Sequence, residues 1–272
     1  MELRNLCSAV VELCKSVGEF IRRESLSFDQ AQVEYKGLHD MVSYVDKTAE
    51  EMLVKGLSGI LPEAGFITEE KTINRVGESY NWIIDPLDGT TNFIHGIPAF
   101  SISIALQYRS ELILGVVYEI NRDECFYAWK DGGAFLNGKP IRVSEAVKLE
   151  HCLLATGFPF YDFEKMEAYI KVFRDLIQRC QGLRRIGSAA LDLAYTAAGR
   201  FDGYFEYNLH PWDAAAGIVL VREAGGQVCD FSGGDEMLGK RELLATNGKI
   251  TPEIFDIINR YFHKQQESNL KP

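Results

Sequence analysis

The stretch WIIDPLDGTTNF, Trp82 to Phe93, sets two aspartates, Asp85 and Asp88, around a proline and directly before Gly-Thr-Thr. The apolar run ahead of them reads as a buried strand, whose C-terminal edge in an α/β layer faces a ligand crevice. Pro86 predicts a turn and Gly89 lets the backbone come close to whatever binds. Thr90 and Thr91 can then cap a short helix whose first N–H groups point at the same spot. Carboxylates attract cations and amides attract an anion, so this junction has the pattern of a phosphate held against bound metal. An ordinary Asp-rich turn would show the same spacing. Other carboxylates argue against that plainer reading: Glu69 and Glu70 in FITEEK after a short strand, Glu206 ending the strand YFE, and Asp213 behind Pro211 in PWDAAAG. If they share one cleft, each close pair repels by ~4 kcal/mol at about 4 Å with an effective dielectric near ~20. Such a site needs divalent cations or raised pKa values, and oxygen-only ligands favour Mg2+ or Mn2+ over zinc.

Other chemical motifs fail. The run Gly133 to Lys139 nearly spells a phosphate-binding loop, but Pro140 stands where a metal-binding Ser or Thr is required, and the segment reads as a hairpin. A calcium loop starting at Asp85 would need Glu where Gly96 stands. No GxSxG elbow or HExxH helix occurs, and His210 is singled out only because it lies just before Asp213. The six cysteines are scattered without metal spacing and read as reduced packing thiols.

The elements that must position these acids follow from periodicity. Residues 2 to 24 and 43 to 60 read as amphipathic helices. Strands follow at Phe66 to Thr68, Trp82 to Asp85, Ala99 to Tyr108, Leu112 to Ile120 and Cys125 to Trp129, with Asn137-Gly138 as a hairpin turn. From about residue 151, strands alternate with helices over 163 to 180, 188 to 199, 212 to 224 and 252 to 262, and the Gly225-Gly226 pair supplies a stop. The expected organisation is an N-terminal α+β sub-domain, 1–150, holding the DPLDGT motif. It joins a C-terminal α/β sub-domain, 151–272, holding PWDAAAG. The two form one compact catalytic unit.

The chain has 29 Lys and Arg against 39 Asp and Glu, a net charge of -10. Phosphate backbones require clustered Lys and Arg, so no nucleic-acid partner is expected. Charges among the first twenty residues leave no secretory h-region, and no apolar run is long enough to span a bilayer, so residence in the cytoplasm without membrane contact is the expectation.

These residues together resemble the inositol monophosphatase family. WIIDPLDGTTNF is similar to its first signature, LHPWDAAAG to its second, and RRIGSAALDLAYTAAGRFDGYFE to the intervening stretch of its bacterial members. The resemblance implies an alternating α/β/α/β/α sandwich of the sugar-phosphatase type, usually dimeric. It implies two or three Mg2+ ions per site, with Mn2+ as a substitute. Glu70, Asp85 and the Leu87 carbonyl would hold the first and Asp85, Asp88 and Asp213 the second, while a weaker third would lean on Glu70. Asp46 and Thr90 match the pair that orients and deprotonates the attacking water, with Lys36 nearby and Glu70 as the alternative base. Gly89 and Thr90 would cradle the phosphate. Asp88, Ser188, Ala189, Glu206 and Asp213 would meet the hydroxylated substrate.

The activity so implied is hydrolysis of inositol monophosphate or a similar polyol phosphate by water, with lithium inhibition and no covalent intermediate. Fructose 1,6-bisphosphate, histidinol phosphate and 3'-phosphoadenosine 5'-phosphate are the alternative substrates. A metal-loaded regulator that binds a protein partner is the alternative of another class. Two departures stand out: Thr68 replaces the glycine of many relatives before the glutamate pair, and the segment Lys71 to Ser79 is short. Relatives acting on nucleotide bisphosphates tend to carry longer insertions there, so its brevity favours a small polyol phosphate.

Overall fold

A long helix, α1 (Leu3–Ser25), buries Leu6, Cys7, Val10, Cys14, Val17 and Ile21 along the single face that their spacing predicts. The computed structural model describes residues 2–28, 33–35, 41–73, 75–159 and 163–262. Lys36 and the tail beyond residue 262 lie outside them. A two-stranded ladder of β1 (Glu34–Tyr35) and β2 (Met41–Val42) leads into α2 (Tyr44–Ile60). Ser43 starts α2 with a capping box: its hydroxyl accepts from the Val45 N–H, and its own N–H donates to Asp46 Oδ2 at 2.9 Å.

A seven-stranded sheet comes next: β3 (Gly65–Thr68), β4 (Tyr80–Asp88), β5 (Ser101–Tyr108), β6 (Glu111–Glu119), β7 (Glu124–Trp129), β8 (Gly133–Leu136) and β9 (Lys139–Ile141), side by side in chain order. A short helix, α3 (Thr90–Ile94), leaves the end of β4. Only β3 and β4 pair in parallel. The β8–β9 connection is the hairpin read from the sequence, with Asn137 and Gly138 both at positive φ.

Beyond it run β10 (Leu153–Thr156), α4 (Met166–Ile177), β11 (Gly182–Arg184), α5 (Ala189–Ala197), β12 (Gly203–Tyr207), α6 (Pro211–Glu223), β13 (Gln227–Cys229), α7 (Met237–Lys240), β14 (Glu242–Thr246) and α8 (Thr251–Phe262). Their five strands form a mixed sheet ordered β11-β10-β12-β14-β13.

Three apolar cores bind these into layers. The first joins α1 and α2 to one face of the large sheet, through Trp82, Ile84, Ile104 and Val116. The second joins its opposite face, Ile83, Ala105 and Val117, to α5 and α6, and those helices to Tyr204, Leu243 and Ala245 of the smaller sheet. The third covers the far side of that sheet with Tyr169, Val172 and Leu176 of α4 and Ile254, Ile257 and Ile258 of α8. The result is the expected α/β/α/β/α sandwich. Helix α6 is buried from Ala214 through Val221, as an all-round apolar helix between two sheets must be. All six cysteines are free, and burial pushes the Cys7 thiol up to about 12.

The path of β4 corrects the sequence reading. Pro86 does not end the strand in a turn. The strand continues to Asp88, with Asp85 opposite Ser103 and Asp88 opposite Ser101. Three steps on β4 therefore face two on β5, and this bulge accommodates a proline that has no N–H to pair.

Close packing of α6 on the sheet depends on Gly115 in β6, where a Cβ would collide with the Ala216 backbone carbonyl. Gly115→Ala is expected to lower stability by about 1–3 kcal/mol through overpacking. Gly59→Ala in α2, where a Cβ would meet open space, is expected to raise it by up to about 1 kcal/mol through helix propensity. Thermal melts of the two variants check the opposite signs.

Candidate active site

The parallel register of β3 and β4 decides which acid reaches the cleft. Thr68 pairs with Ile84, and the Glu69 N–H donates to the Ile84 carbonyl at 3.3 Å, so Glu69 comes beside Asp85. Both belong to the sheet face of Ile83, the face turned to α5 and α6. Glu69 and Asp85 line one cleft together, close enough that beyond burial the charge of Glu69 raises Asp85. This corrects the assignment of Glu70, which is not among the lining residues. Glu70 lies one residue further along, with its N–H donated to Glu50 Oε2 at 2.7 Å.

The end of β4 supplies most of the remaining expected residues. Asp85 Oδ1 accepts the Leu87 N–H at 2.9 Å, which folds the carboxylate back over the bulge. Asp88 Oδ2 accepts from the Ser188 hydroxyl at 2.6 Å and from the Ala190 N–H at 2.7 Å, tying it to the start of α5. Gly89 stands at φ 98° as the N-cap of α3, so Thr90 and Thr91 do not cap that helix as expected. Thr90 Oγ1 instead lies 3.0 Å from Asp46 Oδ1 and 3.0 Å from the Leu87 carbonyl. Asp46 is held in turn by the Ser43 hydroxyl at 2.6 Å.

Leu87, Asp88, Gly89, Thr90, Ser188, Ala189, Glu206 and Asp213 all line the same cleft as Glu69 and Asp85. Asp46 reaches it through Thr90.

Asp213 enters from the first turn of α6. Pro211 occupies the opening position of that helix, where a missing N–H costs nothing. The His210 N–H donates to Asp213 Oδ2 at 2.7 Å, and the His210 ring stacks on Trp212 at 4.7 Å. Glu206, from β12, accepts a hydrogen bond from the Tyr204 hydroxyl.

Burial and mutual repulsion dominate the electrostatics. Desolvation first, then neighbouring acids, raise Glu69 and Asp85 well above the usual carboxylate range. Desolvation lifts Asp88 to about 6, against the hydrogen bonds from Ser188 and α5. It lifts Asp213 to about 7, helped by Asp88, and Glu206 to about 8. Asp46 is raised by burial as well.

The donor set fits a hard divalent cation. No cysteine lines the cleft, its acids offer only oxygen, and Glu69 Oε2 is a buried acceptor without a hydrogen-bond partner. Among the described residues no three His, Cys, Asp or Glu side chains are already drawn together as a metal cage. The fit therefore rests on donor chemistry and on the buried charge that a cation would neutralise.

Sequence reading offers Glu69 with Glu70 as acids of a shared cleft but gives the ligand role to Glu70, and it does not assign Gly157, Arg185, Asp192 or His210 to the cleft, although all line it with Glu69. For Glu69 the signal is strand parity, which puts it on the face of Ile67. For Asp192 it is helical spacing, four residues after Ser188. Gly157 and Arg185 are brought in by the order of the second sheet, which the local pattern does not reveal.

A layered sandwich closing on an oxygen-lined acidic cleft is the architecture of the sugar-phosphatase type. A model of the inositol monophosphatase family matches residues 2–267, and the chain belongs to that family. It is 43% identical over 252 residues to the Nus factor SuhB of Pseudomonas aeruginosa, covering 91% of this chain and 93% of that one. It is 38% identical to the inositol-1-monophosphatase of Mesorhizobium japonicum, covering 94% and 96%. The solved Thermotoga maritima IMPase superposes with a TM-score of 0.84 at 37% identity, covering 93% and 96%. Metal-dependent chemistry on phosphate esters is the property of this family. The name Nus factor gives no support to the exclusion of nucleic acid drawn from the charge. Among the described residues, no helix is long and apolar enough to cross a membrane.

These pKa values carry a signed consequence. Unfolded carboxylates titrate near ~4, whereas Asp88, Asp213 and Glu206 titrate at about 6, about 7 and about 8 in the fold. Between those limits the native state holds protons that the unfolded chain has released, so this contribution to stability is present at low pH and lost as pH rises through 6 to 8. In chelator, the melting temperature is expected to fall from pH 5.5 to 8.5. Added Mg2+ is expected to raise it more at pH 8 than at pH 6, because cation binding competes with protons. A flat or rising profile in chelator would contradict the assignment of buried, mutually repelling acids.

Proposed function

We propose that the chain is a Mg2+-dependent phosphomonoesterase that hydrolyses inositol monophosphate or a similar polyol phosphate to the alcohol and inorganic phosphate. The observation that carries this reading is the convergence of Glu69, Asp85, Asp88 and Asp213, distant in sequence, on one cleft beside the Asp46–Thr90 pair. Glu69, taking the part first assigned to Glu70, would hold Mg2+ with Asp85 and the Leu87 carbonyl, and Asp85, Asp88 and Asp213 would hold a second ion. When bound, the ions supply Lewis acidity and neutralise the charge of the phosphate.

The chain's own groups supply the rest. The Thr90 hydroxyl donates to Asp46 Oδ1, so as its oxygen accepts a proton from an attacking water its own proton would pass to the Asp46 carboxylate, leaving the water oxygen to bond to phosphorus. Burial raises Asp46, which suits a group that must take up a proton. Gly89 and Thr90 would meet the phosphate. Ser188 positions Asp88 through its hydrogen bond, while Ala189 and Glu206 would face the alcohol. Lithium sensitivity, a homodimer and cytoplasmic residence belong to this reading through the family resemblance.

A panel of phosphate-release assays at saturating Mg2+ tests the substrate. The expectation is a higher kcat/KM for inositol 1-phosphate than for fructose 1,6-bisphosphate, histidinol phosphate or 3'-phosphoadenosine 5'-phosphate. The brevity of the segment from Lys71 to Ser79 supports that order; a faster bisphosphate would reverse it. Asp85→Asn, at a position assigned to two ions, should cost more than ~100-fold in kcat/KM. Ser188→Ala should cost about 10- to 100-fold, as expected for a group that orients a ligand. Equal losses would contradict the bridging role.

The names of the Nus factor relatives favour a second reading, in which the protein regulates through a macromolecular partner and its hydrolysis is incidental. An Asp88→Asn variant without phosphatase activity separates the two. If it restores growth to a cell lacking the protein, regulation is the physiological role; if rescue is lost along with activity, the enzyme is.

A further inference from the structure

Asp192 is an acid of the cleft that the metal and water assignments leave without a task. It stands in the first turn of α5, four residues beyond the N-cap Ser188, so both side chains share one helix face. It is only 1% exposed, it lines the cleft, and its Oδ1 has no hydrogen-bond partner. A carboxylate there gains from the helix dipole, but that gain needs neither burial nor an unpaired oxygen. A buried acceptor left unpaired is costly to a fold.

The surroundings define what Asp192 can take. Burial raises the Asp192 carboxyl well above the usual range, and the nearby charges of Glu206 and Asp88 raise it further, with Arg185 opposing them. Glu206 holds one hydrogen bond, from Tyr204, and a side chain at Gly157 would collide with its carboxylate, so the glycine makes the room in which that carboxylate lies. The Ser188 hydroxyl is committed to Asp88. This wall of the cleft therefore presents acceptors, Asp192 and Glu206, apart in sequence from the acids assigned to metal. Ligand groups that match such a wall are hydroxyl donors.

We propose that Asp192 is a specificity residue of this site: with Glu206 it accepts hydrogen bonds from hydroxyls on the alcohol part of the ester, and so selects polyhydroxylated substrates. The proposal rests on the reading of the cleft as that of a polyol phosphatase, and it adds a contact that reading did not contain.

The test compares Asp192→Leu and Asp192→Asn with wild type on inositol 1-phosphate, on histidinol phosphate, and on p-nitrophenyl phosphate, whose alcohol carries no further hydroxyl. For Asp192→Leu, kcat/KM on inositol 1-phosphate is expected to fall about 10- to 100-fold, chiefly through KM, as when a buried hydroxyl of the ligand is left without its partner. Turnover of the aryl ester should change less than about threefold, and Asp192→Asn should recover part of the loss through its amide oxygen. The melting temperatures of both variants should equal or exceed that of wild type, because an unpaired buried acid has been removed.

Equal losses on all three esters, a marked fall in melting temperature for both variants, a loss confined to histidinol phosphate, or no effect would each overturn the proposal. Failure of the underlying reading shows separately, in the wild type: turnover of the aryl ester without turnover of inositol 1-phosphate would remove the polyol substrate and the proposal with it.

Discussion

The repulsion among buried carboxylates is the constraint on which the site depends. Glu69, Asp85, Asp88, Asp192, Glu206 and Asp213 come from five different elements or their ends, yet all line one cleft. Taking an ion out of water costs several kcal/mol even in a relaxed protein interior, and like charges nearby add to it. The fold answers part of this cost locally. Backbone N–H groups of Leu87, Ala190 and His210 donate to Asp85, Asp88 and Asp213, and the Ser188 hydroxyl donates to Asp88. What remains appears as raised pKa values and an unpaired oxygen on Glu69, a residue of negative charge that a divalent cation can answer.

The scaffold brings these acids together by placing ends of elements at one point and keeping the rest rigid. The bulge at Pro86 carries β4 through to Asp88 without losing its pairing to β5. Helix α6 brings Asp213 by its N-terminus, and α5 brings Ser188 and Asp192 by its own. Both helices can lie against the large sheet and each other because small residues meet there. A Cβ at Gly115 would strike α6, and one at Gly217 would strike Leu193 of α5. Packing far from the chemistry therefore sets the separation of the acids, which is why a methyl group at Gly115 bears on the site as well as on stability.

Much of this was legible in the residues. Helices such as α1 and α6 announce themselves by a one-sided or all-round apolar pattern, and the β8–β9 hairpin by Asn137-Gly138. Asp85, Asp88 and Asp213 stood out because strand ends and helix starts are places where a side chain can face a crevice. Neighbouring residues whose roles depend on long-range register were harder. Glu69 and Glu70 are chemically identical, and only the pairing of Thr68 with Ile84 decides that Glu69 meets Asp85. The behaviour of Pro86 and Thr90 was misread for a related reason: each obeys a local preference for turns or caps that the neighbouring strand β5 and the buried Asp46 override.

On this reading of the cleft the same chemical group would do two kinds of work, and its surroundings would separate them. Asp85 and Glu69 are buried close together, so each is disfavoured in the charged form and would gain from a bound cation. Glu206 and Asp192 stand on β12 and α5, with Glu206 hydrogen-bonded to Tyr204 and packed against Gly157. A phosphate ester is itself divided in this way, with charge at one end and hydroxyls at the other. A cleft whose acids on β3, β4 and α6 could take cations, and whose Asp192 and Glu206 could meet hydroxyls, would be complementary to both ends.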